Sequence, residues 1–325
     1  MDRVAVIDLG SNTVRLLVGE PDGAGGYRSV YADQEITRLG QGLMPDRILQ
    51  LEPMERTLAV LRRFRQAAES HAATRIAVIG TSALRETKNR ETFLERARRE
   101  AGVDPRVISG GEEARLTLLG VRAALRIGPG RLLLMDIGGG STEFLLADGP
   151  EIRAIVSTGL GVVKLTETYL HTDPPRPAEL VAIRDAASAR MIRLRTQELP
   201  DLDRHEEIRS RIFVGTAGTV TTLAAIDLAL DPYDPDRVNG YRLSRARVET
   251  LCRELASLPL AQRKRLRGLE PGRADVIVAG ALMCLAAMEA LDFPELVVSD
   301  GGLREGILLD LLARILNGSK VNNPG

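Results

Sequence analysis

The sequence predicts an α/β protein of two related domains, each built from strands interleaved with helices. Three observations carry that prediction. The chain has 325 residues, too many for one ordinary core and suited to two domains of roughly 100–200 residues each. Short runs rich in Val, Ile and Leu alternate with longer segments of helical period. The opening segment also recurs: VAVIDLGSNTVRLLV (Val4–Val18) aligns with LLLMDIGGGSTEFLL (Leu132–Leu146) at a constant offset of 128 residues. Asp8 matches Asp136, Gly10 matches Gly138, and Thr13 matches Ser141.

The first half opens with a strand over Arg3–Asp8, a Gly-polar turn over Gly10–Thr13, and a strand over Val14–Gly19. Pro21-Asp22-Gly23 closes that hairpin, and a third strand spans Tyr27–Ile36. Leu58, Leu61, Phe64, Ala67 and Ala68 fall on one face and predict a helix over about Glu52–Ala73. A strand over Arg75–Gly80 leads through Thr81-Ser82 into a single helix carrying Leu84, Phe93 and Leu94. A strand over Pro105–Ser109 then leads into a helix over Glu112–Leu125.

The pattern restarts after Gly128-Pro129-Gly130. Strands are expected over Arg131–Asp136, Thr142–Ala147 and Ile152–Ser157, with Gly138-Gly139-Gly140-Ser141 as the first turn. A long helix over Pro174–Glu198 precedes a strand over Ile212–Gly215, and a further helix follows to about Leu230. Helices over Ser244–Ser257 and Gly272–Leu291, a strand over Glu295–Ser299 and a last helix over Leu303–Leu316 complete the chain. Asn317-Gly318 is read as its stop, with a frayed polar tail beyond.

Composition excludes several classes of function. Lys+Arg and Asp+Glu both total 44, so no global field draws the chain to nucleic acid or to an anionic membrane. No run of about 18 apolar residues spans a bilayer, and the N-terminal segment lacks the apolar core of a signal peptide. Cys252 and Cys284 sit in apolar helical patterns and read as small buried hydrophobes, which suits a reducing, cytoplasmic setting. His71, His171 and His205 have no metal-like spacing and read as surface residues. The chain contains no Walker A sequence, no dinucleotide fingerprint and no serine-nucleophile elbow.

Anion recognition must therefore be local. In each repeat an acid closes an apolar strand and a glycine turn with hydroxyls follows. Glycine lets backbone amides turn toward an anion, and Ser11, Asn12, Thr13, Gly138, Gly139, Gly140, Ser141 and Thr142 supply the donors. Asp8, Asp136 and Glu143 beside such loops would repel phosphate unless a hard cation such as Mg²⁺ intervened. Turn capping is the plainer account of the same acids. Ser109 and Glu112 fit a capping box, which leaves Glu113 in the first helical turn without that role. Arg85 sits at a helix start, where the dipole disfavours it. Phosphate, Glu86 or Glu113 could each hold it there. Gly215-Thr216-Ala217-Gly218-Thr219 and Asp300-Gly301-Gly302 read as further strand-to-helix anion turns. The run Arg263-Lys264-Arg265-Leu266-Arg267 reads as a solvated surface or a track for a long polyanion.

Seven stretches together resemble the exopolyphosphatase and guanosine pentaphosphate phosphohydrolase family. They are AVIDLGSNTVRLLV, GTSALRETKN, ISGGEEARL, LMDIGGGSTEFLL, VGTAGTVTTLAAI, GLEPGRADVIVAGA and VSDGGLREG, in the family's order from residue 5 to residue 306. The resemblance implies two ribonuclease-H-like domains of the actin, hexokinase and Hsp70 superfamily with a cleft between them. One would cover residues 1–125 with 306–325, the last helix returning to it, and the other residues 126–305. It implies Glu113 as the base that activates water and Arg85 as a phosphate ligand. Asp136 and Glu143 would hold Mg²⁺ and its water network. The expected substrate is inorganic polyphosphate, with guanosine pentaphosphate as the rival, and a homodimer is the expected assembly. An actin-like kinase or ATPase and a non-catalytic sensor of guanosine tetraphosphate are the alternative classes. The helical C-terminal extension of longer relatives is missing, so chain-length preference does not follow from the resemblance.

Overall fold

The computed structural model describes residues 3–199 and 211–321, so His205 and the tail beyond Val321 lie outside the described residues. The chain forms two compact units, Met1–Ala123 with Gly301–Gly325 and Ala124–Asp300.

In the first unit, β1 (Arg3–Leu9), β2 (Thr13–Pro21), β3 (Tyr27–Ile36), β4 (Ala73–Gly80) and β5 (Arg106–Val107) form one sheet. Its order is β3-β2-β1-β4-β5, antiparallel across the first three strands and parallel from β1 through β4 to β5. β1 is apolar on both faces because both faces are covered. Ala5, Ile7 and Leu9 join the core under α1 (Leu51–Ser70), with Leu58, Leu61 and Phe64. Val4 and Val6 join a second core with Leu116, Ile307 and Leu308. Those residues come from α4 (Gly110–Leu125) and from the chain's last helix (Leu303–Val321). This is the α/β architecture read from the sequence, in the strand order of a ribonuclease-H-like sheet.

Several boundaries differ from the sequence reading. α1 ends at Ser70, not Ala73, because Ala72 takes a left-handed conformation (φ 59°) and β4 begins at Ala73. No glycine announces that stop. The single helix expected after β4 is two, α2 (Ser82–Glu86) and α3 (Arg90–Arg96). The break is tertiary: Thr87 Oγ1 donates to the Arg47 carbonyl, while Asn89 bonds both the amide and the carbonyl of Leu49. β5 is two residues long rather than five.

α4 and the last helix approach through glycine. A Cβ on Gly120 would stand 1.9 Å from the Gly302 carbonyl oxygen, and one on Gly306 would stand 1.8 Å from that of Leu116. Alanine in a helix interior gains up to about 1 kcal/mol over glycine. Here overpacking against backbone, typically about 1–3 kcal/mol, opposes it and wins. Gly120→Ala is therefore expected to lower the urea midpoint of unfolding; a raised midpoint would show that the two helices do not touch.

In the second unit, β6 (Leu132–Ile137), β7 (Thr142–Asp148), β8 (Glu151–Ser157), β9 (Ile212–Thr216), β10 (Arg242–Ser244) and β11 (Glu295–Val298) form a sheet of order β10-β11-β9-β6-β7-β8. β6, β9 and β11 are parallel and the remaining pairings antiparallel. The duplication is explicit in the register. Asp8 pairs with Arg15 across β1 and β2, and Asp136 pairs with Glu143 across β6 and β7.

Among the described residues, the helices of this unit with eight or more residues are α5 (Val162–Tyr169), α6 (Pro177–Arg193), α7 (Ala217–Asp227), α8 (Arg245–Ser257) and α9 (Ile277–Ala290). α5 has no counterpart in the sequence reading. α6 starts three residues after the expected Pro174 and continues as a wide turn to Glu198. α9 is buried from Ile277 to Met288 on every side, so its apolar residues show no single face. It starts at Ile277 rather than Gly272, since Pro271–Arg273 forms a separate turn of 3₁₀ helix. Cys252 and Cys284 are free and buried, as expected, and burial pushes the Cys252 thiol up to about 12.

The last helix, α10 (Leu303–Val321), runs through Asn317-Gly318 rather than stopping there. His71 is not a plain surface residue: its ring stacks on Tyr31, with centroids 4.2 Å apart. Nor is the basic run all surface. Arg263 is buried and donates from Nη2 to Asp173 Oδ1 at 3.0 Å, while Lys264, Arg265 and Arg267 are exposed. No helix among the described residues is long and apolar enough to cross a membrane.

Candidate active site

The two hairpin turns are the same turn. The Gly10 amide donates to the Thr13 carbonyl at 3.1 Å, and the Gly138 amide donates to the Ser141 carbonyl at 2.9 Å. In both, a glycine Cβ would stand 3.0 Å from that same carbonyl oxygen, so glycine is what fits.

In the first unit, the amides of Gly40 and Arg38 hold the Ser11 and Asn12 carbonyls at 2.8 and 2.9 Å. Ser11 Oγ meets Ser82 Oγ at 3.0 Å, so the start of α2 lies against the turn. Ser11, Asn12 and Thr13 are all buried. Asn12 Oδ1 is buried with no hydrogen-bond partner among the described residues. Such an oxygen is costly unless something accounts for it.

Asp8 lies at the end of β1, beside that turn. Burial pushes its carboxyl up to about 6, against the pull of Arg15 and Arg304, while Glu305 adds repulsion. Glu305 is buried too. Burial pushes it up, but Arg304 and the Gly302 amide, which donates to Glu305 Oε2 at 2.8 Å, outweigh that and hold it below the usual range. The Gly302 amide of the expected Asp300-Gly301-Gly302 anion turn is therefore already taken by a carboxylate of this chain. The sequence reading assigned no role to Arg304 or Glu305, although both stand in the quoted VSDGGLREG stretch.

Arg85 and Glu113 come together. Arg85 Nη1 donates to Glu113 Oε2 at 2.8 Å and to the Ile108 carbonyl at 3.1 Å. Of the three partners considered for Arg85, the structure shows Glu113. The expected capping box is half present. Ser109 Oγ accepts from the Glu112 amide at 3.1 Å, but the Glu112 side chain is forked against Arg106 at 2.9 and 3.0 Å instead of reaching back. Glu113 is left as the buried carboxylate of the first turn, positioned by an arginine at its side.

In the second unit, the turn over Gly138–Ser141 is locked from behind by α5. The amides of Val162 and Val163 donate to the carbonyls of Gly138 and Gly139, both at 3.0 Å. Gly161, the N-cap of α5, presses so closely that a Cβ there would stand 2.3 Å from both the Gly139 oxygen and the Gly140 carbonyl carbon. Thr158 donates from its amide and its hydroxyl to the Thr142 carbonyl at 2.9 and 3.0 Å. Ser141 and Thr142 are buried, and Thr142 Oγ1 has no partner among the described residues. The Gly-Leu-Gly run over residues 159–161 was the sequence signal for this support.

Asp136 and Glu143 lie directly opposite across β6 and β7, where side chains come within about 5 Å and like charges are unfavourable. Ser157 Oγ donates to Glu143 Oε1 at 2.9 Å. Two hard carboxylates with hydroxyls nearby fit Mg²⁺, which is usually held by one or two carboxylates with waters and phosphate completing the set. Asp8 fits less well, because its cross-strand neighbour is the cation Arg15. Among the described residues no three His, Cys, Asp or Glu side chains gather as a ligand set.

The turn after β9 also closes tightly. Ala217 takes φ 67°, and a Cβ on Gly218 would stand 1.9 Å from Arg273 Nη1. Thr216 Oγ1 donates to the Ser299 carbonyl at 3.1 Å.

Known proteins resemble this chain over its whole length. The model of the Ppx/GppA phosphatase family matches residues 21–315. Exopolyphosphatase 2 of Mycobacterium tuberculosis is 34% identical over 324 residues, covering 96% of this chain and 99% of the relative. The crystal structure of the Aquifex aeolicus member of the Ppx/GppA family is 33% identical, with a TM-score of 0.77 over 99% of both chains. An exopolyphosphatase structure from Cytophaga hutchinsonii is 27% identical, with a TM-score of 0.83 over 96% of this chain and 98% of that one.

Proposed function

The chain belongs to the Ppx/GppA phosphatase family, and from that membership we propose that it is an exopolyphosphatase releasing terminal orthophosphate from inorganic polyphosphate. The observation that carries the reading is the duplicated turn, each copy lined by hydroxyls and each holding one buried oxygen without a partner among the described residues, Asn12 Oδ1 and Thr142 Oγ1. Thr142 Oγ1 could donate to a phosphate oxygen, and water around the phosphate could donate to Asn12 Oδ1.

In this mechanism water attacks the terminal phosphorus in line with the bridging oxygen, and the bond from phosphorus to that oxygen breaks, its electron pair leaving with the shortened polyphosphate. Glu113 accepts the water's proton as general base, with its carboxylate held by Arg85 until substrate arrives. Arg85 and the first unit's donors Ser11, Asn12 and Thr13 take up negative charge on the equatorial oxygens, and Gly138, Gly139, Gly140, Ser141 and Thr142 offer phosphate a second set of donors of the same kind. Mg²⁺ bound at Asp136 and Glu143 would neutralise further charge there. Asp8 supports the first turn from beside it.

The test is orthophosphate release from polyphosphates of several lengths, guanosine pentaphosphate and ATP, with and without Mg²⁺. The expected result is the highest kcat/KM on polyphosphate and loss of activity in EDTA. A higher kcat/KM on guanosine pentaphosphate would replace the substrate with that nucleotide. Release from none of them would overturn the enzymatic reading.

A further inference from the structure

A concavity lies in the second unit, at the opposite end of the sheet from the glycine turn. It holds about 470 Å³ and is lined by Arg211, Phe213, Arg242, Asp292, Phe293 and Glu295, among others. Ile212 and Glu295 are the first residues of the parallel strands β9 and β11, whereas the Gly138 turn follows the last residue of β6. β9 alone separates Ile212 from Thr216 by about 13 Å, at 3.3 Å per residue.

The charges of its wall are matched except for one. Arg242 is paired with Glu295, and Asp292 has Arg245 at 3.7 Å. Arg211 is only 7% exposed, and neither its Nε nor its Nη1 has a hydrogen-bond partner among the described residues. A guanidinium withdrawn from water with donors unused is costly unless an anion comes to it. The rest of the wall is apolar. Phe213 and Phe293 stack with centroids 4.6 Å apart, and Ile212 is 43% exposed for so large an aliphatic side chain. A pocket of this size, with a wall part apolar and part charged and Arg211 as its one unmatched charge, has the dimensions of a small-molecule site.

We propose that this pocket binds a small organic anion, with its carboxylate or phosphate monoester group on Arg211 and its apolar body against Ile212, Phe213 and Phe293. The site is separate from the glycine turns and does not depend on the phosphohydrolase reading.

The test is thermal unfolding of the full chain with benzoate, hexanoate, phenyl phosphate and the neutral benzyl alcohol. Arg211→Met keeps the length of the side chain and removes the charge. Ile212→Trp fills the pocket from an exposed position and keeps Arg211. The expected result is a saturable rise in Tm with at least one of the anions and a Kd at least about tenfold weaker in both variants, the worth of about one charged hydrogen bond. Benzyl alcohol should be weaker by a similar factor. No rise with any anion, or equal rises in wild type and both variants, would overturn the proposal, the latter by placing the binding elsewhere.

Discussion

Glu113→Gln keeps the folded structure and loses at least about 10²-fold in kcat for phosphate release, the lower end of general base catalysis. Glutamine has the same shape and still offers Arg85 an acceptor where Glu113 Oε2 sits at 2.8 Å. It cannot take a proton from water. The pair is mostly buried, and exchanging a charged acceptor for a neutral one costs about 1–2 kcal/mol of stability. That loss is small enough for the variant to be assayed folded. Steady-state kinetics and a thermal melt on the same preparation separate the two roles. A lowered Tm with an undiminished kcat would reduce Glu113 to an anchor for the first turn of α4.

Gly161→Ala is expected to lower kcat/KM by at least about 10²-fold although it touches no substrate. The added methyl would stand 2.3 Å from the Gly139 oxygen and from the Gly140 carbonyl carbon, both backbone atoms that cannot swing aside. The turn over Gly138–Ser141 must move, and a displacement near 1 Å in a group that positions phosphate is worth about that factor. Gly128→Ala is the control, since a Cβ there meets nothing within 4 Å and its activity should equal wild type. Wild-type kcat/KM in the Gly161 variant would remove the second turn from the catalytic machinery.

The elements that the sequence revealed clearly are those whose signal is local. Both hairpins were visible because apolar alternation, acid and glycine recur at one offset, and the two turns prove identical down to their amide–carbonyl bond. β3 runs over Tyr27–Ile36 as read. What was hidden depends on contacts distant in sequence. The gap between α2 and α3 is made by Thr87 and Asn89 bonding to residues 40 positions away. α5 is eight residues long and is capped by glycine rather than by a polar residue, so the Gly-Leu-Gly run before it was its one mark in the sequence. The Arg85–Glu113 pair joins α2 to α4 across 28 residues. It was only one of three partners that the sequence left open. Arg263, within a run that looked solvated, is buried because it reaches Asp173, 90 residues earlier.

The register of the two hairpins differs at one telling position: Arg15 faces Asp8, and Glu143 faces Asp136. The duplicated halves therefore did not inherit the same electrostatics. One copy carries an internal counter-ion and can stand as a neutral scaffold. The other sets two carboxyl groups opposite each other, the pair proposed above to hold the cation. In the proposed mechanism, Glu143→Arg would give the second hairpin the same acid–arginine pairing as the first and remove the place proposed for the cation.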